Sequence, residues 1–311
     1  MSVWGIDISH YQPSMPAVQM AQNGAKFVIV KATSGASLVD DRLLQHVTAA
    51  RSAGLKLGLY HWVDPIQSAP ANANHFLNQI NTLRPDFVAL DVEQWWADWN
   101  KFWSFNRKEI PATAVPRLSP DVISAVSKET VEIVAAQAKL PTLVYTARWF
   151  QSYAPGLAGW IGSWPLWVAS YFDYNKSNYT QTWAQFQTTL GSLGSNPTLP
   201  NGALSWKFWQ FSAKIILPGV TFPMDMDVFN GSQADFDAFL QPSGPRPVGK
   251  PYRVLADNLV IQGGPGMSFP ALGLVHKDEI IEVERIENDY AKIVAPDERW
   301  VCIGIPYIKE I

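Results

Sequence analysis

The sequence predicts an α/β chain, an irregular (β/α) barrel followed by a small all-β module. Three observations predict it. Short apolar runs alternate with helical patterns through the first two-thirds of the chain, a Pro/Gly-rich stretch breaks the pattern at 241–251, and apolar and polar positions alternate between turn residues in 252–311. At 311 residues, with 47% apolar and 16% charged residues, the chain is long enough for a large core plus one small module.

Eight runs read as strands: 3–8, 27–31, 55–60, 87–91, 142–145, 166–170, 207–211 and 222–228. Between them, 40–53 reads as a helix, with acidic residues in its first turn, a stripe of Leu43, Leu44 and Val47, and Gly54 at the stop. Ser119 before Pro120 is an N-cap with proline at the first helical position, opening a helix that runs to Ala138 or Lys139. Strands that alternate with helices favour a parallel sheet, and about eight of them a TIM-like barrel. The Ser-, Thr- and Gly-rich stretch between Tyr171 and Trp206 shows little helical period, which makes the barrel irregular. The segment 94–118, with Trp95, Trp96, Trp99, Phe102, Trp103 and Phe105, reads as a long loop over the barrel mouth. QPSGPRPVGKP at 241–251 reads as a linker between a barrel of 1–240 and an all-β module of 252–311.

A net charge of -3, from 24 basic and 27 acidic residues without a block of like charge, gives no footprint for nucleic acid or an anionic bilayer. Cys302 is the only cysteine, so no intrachain disulfide and no Cys/His metal cluster forms; Cys302 itself reads as a small buried apolar residue. No metal or cofactor is implied. The opening MSVWGIDISHYQ has no basic segment ahead of an apolar stretch, and no run of about 18 apolar residues occurs, so neither an export signal nor membrane insertion is expected. The 14 tryptophans and 10 tyrosines are either core filling or flat faces for sugar rings.

Asp91 and Glu93 stand two apart at the end of the run Phe87-Val88-Ala89-Leu90, so strand alternation turns both carboxyls to one side, their backbones about 6.6 Å apart. Glycoside cleavage uses such a pair, one acid protonated and the other ionised. Asp7, ending the first run, and Asp225, in the last, are expected at the same mouth. Each acid taken alone also suits a cap or an ion pair.

Glycoside hydrolase family 25 is the family this sequence resembles, through Gly5-Ile6-Asp7-Ile8-Ser9 with Gln12, Val30-Lys31-Ala32-Thr33, Gly58-Leu59-Tyr60-His61, Leu90-Asp91-Val92-Glu93, Val144-Tyr145-Thr146, Leu166-Trp167-Val168-Ala169 with Tyr171, Trp209-Gln210-Phe211 and Met224-Asp225-Met226-Asp227-Val228-Phe229. Eight segments in the family's order, over residues 1 to about 240, make the resemblance specific. It implies a lysozyme that cleaves the β-1,4 bond between N-acetylmuramic acid and N-acetylglucosamine of peptidoglycan, acting as a monomer on the wall outside the cell, secreted or released at lysis. It also implies roles: Glu93 as general acid, Asp91 as the residue that stabilises the transition state or orients the substrate acetamido group, and Asp7 and Asp225 as flanking acids. Lys31, Tyr60, His61, Tyr145, Tyr171, Trp209 and Gln210 match groove positions, while Trp167 suits packing. The family commonly carries an acid where this chain has Ser34, and the segment after Glu93 is longer than usual; it either extends the sugar groove or covers an apolar surface.

The tail, with 259–266 (LVIQGGPG), Val283 and Trp300-Val301, resembles a bacterial Src-homology-3-like wall-binding domain, with Gln262 where a basic residue is usual. Two rival readings stand beside the lysozyme: a chitinase-like hydrolase, which also ends a strand with Asp-x-Glu, and a catalytically inactive wall-binding protein.

Overall fold

A computed structural model describes residues 3–194, 196–241, 250–287, 289–293, 299–302 and 307–310. The chain divides into two units, Met1–Gln241 and Pro242–Ile311. Most of the expected linker lies outside the described residues.

In the first unit all eight expected runs form strands of one closed barrel: β1 (Trp4–Ile8), β2 (Ala25–Ser34), β3 (Lys56–Trp62), β4 (Phe87–Asp91), β5 (Thr142–Ala147), β6 (Leu166–Ala169), β7 (Phe208–Ile216) and β8 (Met224–Phe229). Neighbours run β1-β8-β7-β6-β5-β4-β3-β2, and β2 returns to β1. Seven strands are parallel, and β8 is antiparallel to both β7 and β1. The connection 217–223 is too short for a helical crossover, so β7 and β8 form a hairpin. The barrel is therefore mixed, against the parallel expectation.

Alternation along each strand builds two apolar layers. Phe27, Ile29, Phe87, Ala89, Leu143, Trp167, Phe208 and Phe229 fill the interior, closed below by Phe236 and Leu240 around helix α7 (Gln233–Phe239). The Phe87 and Phe208 rings stack with centroids 5.2 Å apart, and Phe27 meets Phe208 edge-on at 5.0 Å. Two glycines admit these rings: a Cβ on Gly5 would lie 2.6 Å from the Phe27 ring, and one on Gly58 2.6 Å from the Phe87 ring. The outer layer, with Ile6, Val28, Val30, Leu57, Leu59, Val88, Leu90, Val144 and Val168, packs beneath the surrounding helices.

Those helices are α1 (Ala17–Gln22), α2 (Leu43–Ser52), α3 (Ala69–Leu83), α4 (Trp99–Asn106), α5 (Pro120–Ala138) and α6 (Trp183–Ser192). Helix α2 starts three residues later than expected, because the Asp40 carboxylate accepts from the His10 and Arg42 backbone N–H groups. Leu44 faces solvent at 66% exposure, and buried His46 shares the inner stripe with Leu43 and Val47. Helix α5 begins after Ser119 as expected, although the Ser119 hydroxyl makes no capping bond. Two helices occupy segments read as irregular. Helix α6 is opened by a reciprocal capping box of Thr182 and Gln185. Helix α4 is capped by Asp98, whose side chain accepts from the Lys101 N–H.

The second unit is a seven-stranded antiparallel sheet, β9 (Lys250–Val254), β10 (Asn258–Gln262), β11 (Ala271–His276), β12 (Ile280–Glu287), β13 (Tyr290–Ile293), β14 (Trp300–Cys302) and β15 (Ile308–Glu310). Its core is Val254, Leu259, Ile261, Val275, Ile281, Val283, Ala291, Ile293 and Val301. Cys302 is half-buried against this core rather than enclosed by it.

Candidate active site

Inward positions at the strand ends carry the polar mouth of the barrel. Asp91 ends β4 at 4% exposure, and Glu93, two residues on, is partly exposed. Asp7 on β1 pairs in register with Asp225 on β8. The reversal of β8 is what brings Asp225 there: it is the second residue of its strand, yet it lies level with the C-terminal end of β1. The four expected acids thus share one end of the barrel.

A buried amide orders one side of the mouth. Gln210 Nε2 donates to Asp7 at 2.6 Å, while the Tyr145 and Tyr171 hydroxyls donate to Gln210 Oε1 at 2.8 and 2.7 Å. Three bonds fix the amide and with it the Asp7 carboxylate. Below lies Asp227, fully buried, accepting from the Trp167 indole N–H at 2.7 Å and facing Asp7 within hydrogen-bonding reach. Gln12 reaches Asp225 at 3.5 Å.

Five carboxyls in little water cannot all ionise. Burial pushes Glu93 up to about 7, opposed by the Lys31 charge and reinforced by Asp7. Burial pushes Asp7 up to about 6, opposed by its bonds to Gln210 and Asp227. Asp91 is raised well above the carboxylate range by burial and by Glu93, and Lys31 pulls it down. Asp225 and Asp227 are raised by burial and then by Asp7. Lys31 is the cation among them, its ammonium 5.0 Å from the Trp62 ring centroid and 5.8 Å from that of Tyr60. Tyr60 and Tyr145 flank the buried Trp167 ring from the acidic end.

Two expected groove residues lie elsewhere. His61 alternates with inward Tyr60, so it points outward; it stacks on Phe76 of α3 and bonds Thr33 at 2.8 Å and Asn72 at 3.0 Å. Burial lowers its pKa to about 3, leaving a neutral wall residue. Trp209 alternates with inward Gln210 and packs in the outer layer against Trp206, its indole N–H donating to the Ser170 carbonyl.

The residues 94–118 were only half legible. Trp95 and Trp96 are buried, and a bridge between Trp96 and Arg117 ties the segment's ends together. Asp64, absent from the sequence reading, organises its start. Its carboxylate accepts from Gln94 at 2.7 Å and from the Trp99 indole at 3.0 Å, while Trp62 donates to Gln94 at 3.0 Å. Trp62 pairs in register with Asp91. The spacing 95/96, 99, 102/103 is itself a helical period, a signal that was available. Among the described residues no group of three or more His, Cys, Asp or Glu has an arrangement suited to a metal ion.

A closed mixed barrel with an acid pair at one strand end and a cluster of raised carboxyls around it is the arrangement of a glycoside hydrolase. The model of glycosyl hydrolases family 25 matches residues 6–220, and the chain belongs to that family; it is a glycoside hydrolase of the lysozyme class. The uncharacterized protein YegX of Escherichia coli K12 is 28% identical over 245 residues, 77% of this chain and 74% of its own. Lysozyme M1 of Streptomyces globisporus is 26% identical over 243 residues, 75% of this chain and 69% of its own. Among solved structures, the bacterial lysozyme of Streptomyces coelicolor is 26% identical with a TM-score of 0.57, covering 77% of this chain and 97% of that one.

Proposed function

We propose that this enzyme is an N-acetylmuramidase, hydrolysing the β-1,4 bond between N-acetylmuramic acid and N-acetylglucosamine in bacterial peptidoglycan. The observation that carries the reading is Glu93: a partly exposed carboxyl at the mouth that burial keeps protonated up to about pH 7, two residues from buried Asp91. Relatives named as lysozymes support the substrate class.

Glu93 donates its proton to the glycosidic oxygen as the bond to the anomeric carbon breaks. The carbonyl oxygen of the 2-acetamido group bonds that carbon from the opposite face; Asp91, ionised when the pair's proton rests on Glu93 and drawn toward that form by the Lys31 charge, accepts the acetamido N–H and offsets the positive charge that develops. Water then opens the ring intermediate and returns a proton to Glu93, with net retention. Lys31 lowers the cost of the surrounding negative charge, and Asp7, held by Gln210, and Asp225 flank the reacting sugar. Tyr60, Tyr145 and Tyr171 wall the pocket. The chain acts as a monomer on the wall outside the cell. The second unit acts as a Src-homology-3-like wall-binding module, raising enzyme concentration on an insoluble substrate.

Mass spectrometry of digested peptidoglycan tests the bond: new muramic acid reducing ends support the reading, and N-acetylglucosamine ends overturn it. Preference for chitin oligomers over muropeptides would favour a chitinase-like enzyme.

A further inference from the structure

Half of the eight residues of helix α4 are aromatic, yet none of them is fully buried. Trp99 and Trp103, one turn apart, lie with ring planes 28° from parallel and centroids 6.2 Å apart, and Trp103 is 38% exposed. A helix face of this kind normally packs into a core. Here the underside is already filled: Phe102 stacks on Trp96 at 9°, and Trp96 meets Trp62 at 5.8 Å. Trp103 stays exposed beside partly buried Trp99, whose ring is fixed by its bond to Asp64. Indole rings are thus continuous from Trp62, level with Asp91 and beside Lys31, through Trp96 and Trp99 to Trp103.

We infer that Trp99 and Trp103 form an outer sugar-binding platform, on which a glycan strand extending from the cleavage site lays the apolar face of an N-acetylated pyranose. This rests on the reading of the barrel mouth as a glycan site. Three features favour a sugar over a protein surface. The pair is joined to the acidic mouth by ring contacts through Trp96, its near-parallel indoles match a ring face, and Asn100, Ser104 and Asn106, which flank the pair on the same helix, supply polar groups for the hydroxyls that stacking leaves exposed. It explains the tryptophan-rich segment after Glu93 as an extension of the groove, built over a layer that covers the barrel's apolar rim.

The test compares kcat/KM on peptide-free glycan strands with that on a short oligosaccharide from the same polymer. The ratio of long over short falls about three- to tenfold in Trp103→Ala, the range one aromatic stack supplies. It falls equally in Trp103→Leu, which is apolar but not flat, and largely returns in Trp103→Tyr. A wild-type ratio in Trp103→Leu would reduce the face to an apolar cover, and an unchanged ratio in Trp103→Ala would overturn the platform. Titrating the strands into the Glu93→Gln chain, read by tryptophan fluorescence, separates this from failure of the muramidase reading. If no strand is cut, weaker binding with Trp103→Ala added supports the platform, and equal binding overturns it.

Discussion

Glu93 holds its proton from 4.5 up to about 7 because burial raises the cost of its charge. Two outcomes follow at this scale. Hydrolysis by a general acid needs that proton, so the rate, measured across a pH series, falls about tenfold per unit above about pH 7. Stability moves with pH in the same sense. Between those two values the folded chain binds more protons than the unfolded one, so stability present below pH 4.5 is lost as pH rises through 7. Glu93→Gln removes that loss: hydrolysis disappears, while thermal unfolding at pH 8 shows a gain on the order of 1–3 kcal/mol that vanishes near pH 4. A Glu93→Gln chain that still clears wall suspensions would refute the acid assignment. Asp7, Asp91 and Glu93 were legible because each stands at or just past the end of an apolar run, and Asp225 because it interrupts the last one. His61 and Trp209 were misplaced because resemblance was applied to neighbours: strand alternation sends Tyr60 and Gln210 inward and therefore the next and previous residues outward. Asp227 was visible two positions after Asp225, but its bond to Trp167 joins residues 60 apart and leaves no local trace.

Among elements, β3 shows how one position constrains a layer. Gly58→Ala would drive a methyl into the Phe87 ring, and urea unfolding should register a loss of about 1–3 kcal/mol. The start of α4 depends in the same way on Asp64, whose carboxylate serves both Gln94 and Trp99. Asp64→Ala leaves those donors unpaired, and amide exchange in α4 accelerates while that in α5 keeps its protection. Strands were the most legible elements, since every expected run became one; their ends shifted by a few residues because caps and bulges set them. The reversed sense of β8 was readable only from its short hairpin, α6 only from a capping box whose residues also suit loops, and α4 from its aromatic period and the Asp98 cap.

At the level of the whole molecule, the mouth is assembled from strands far apart in the chain, and Gln12 meets Asp225 across 213 residues. The Phe-rich interior beneath it is shared by β2, β4, β7, β8 and α7. Phe208→Ala, which removes the ring touched by Phe27, Phe87 and Phe229, should lower barrel stability by about 3–5 kcal/mol and broaden its melting transition. The two-unit organisation was foreshadowed by the Pro/Gly stretch and the change of period beyond it, features of composition rather than of any contact.

The ring-closing contact between β1 and β8 also sets the order of events during synthesis. A nascent chain that has passed residue 93 already carries both members of the acid pair, but its barrel lacks the strand that seals β7 to β1 and supplies Asp225. Contacts of such long sequence separation form late. The barrel mouth is therefore complete only once residues 224–229 have been made, and a chain ended before Met224 lacks both Asp225 and the strand that closes the ring.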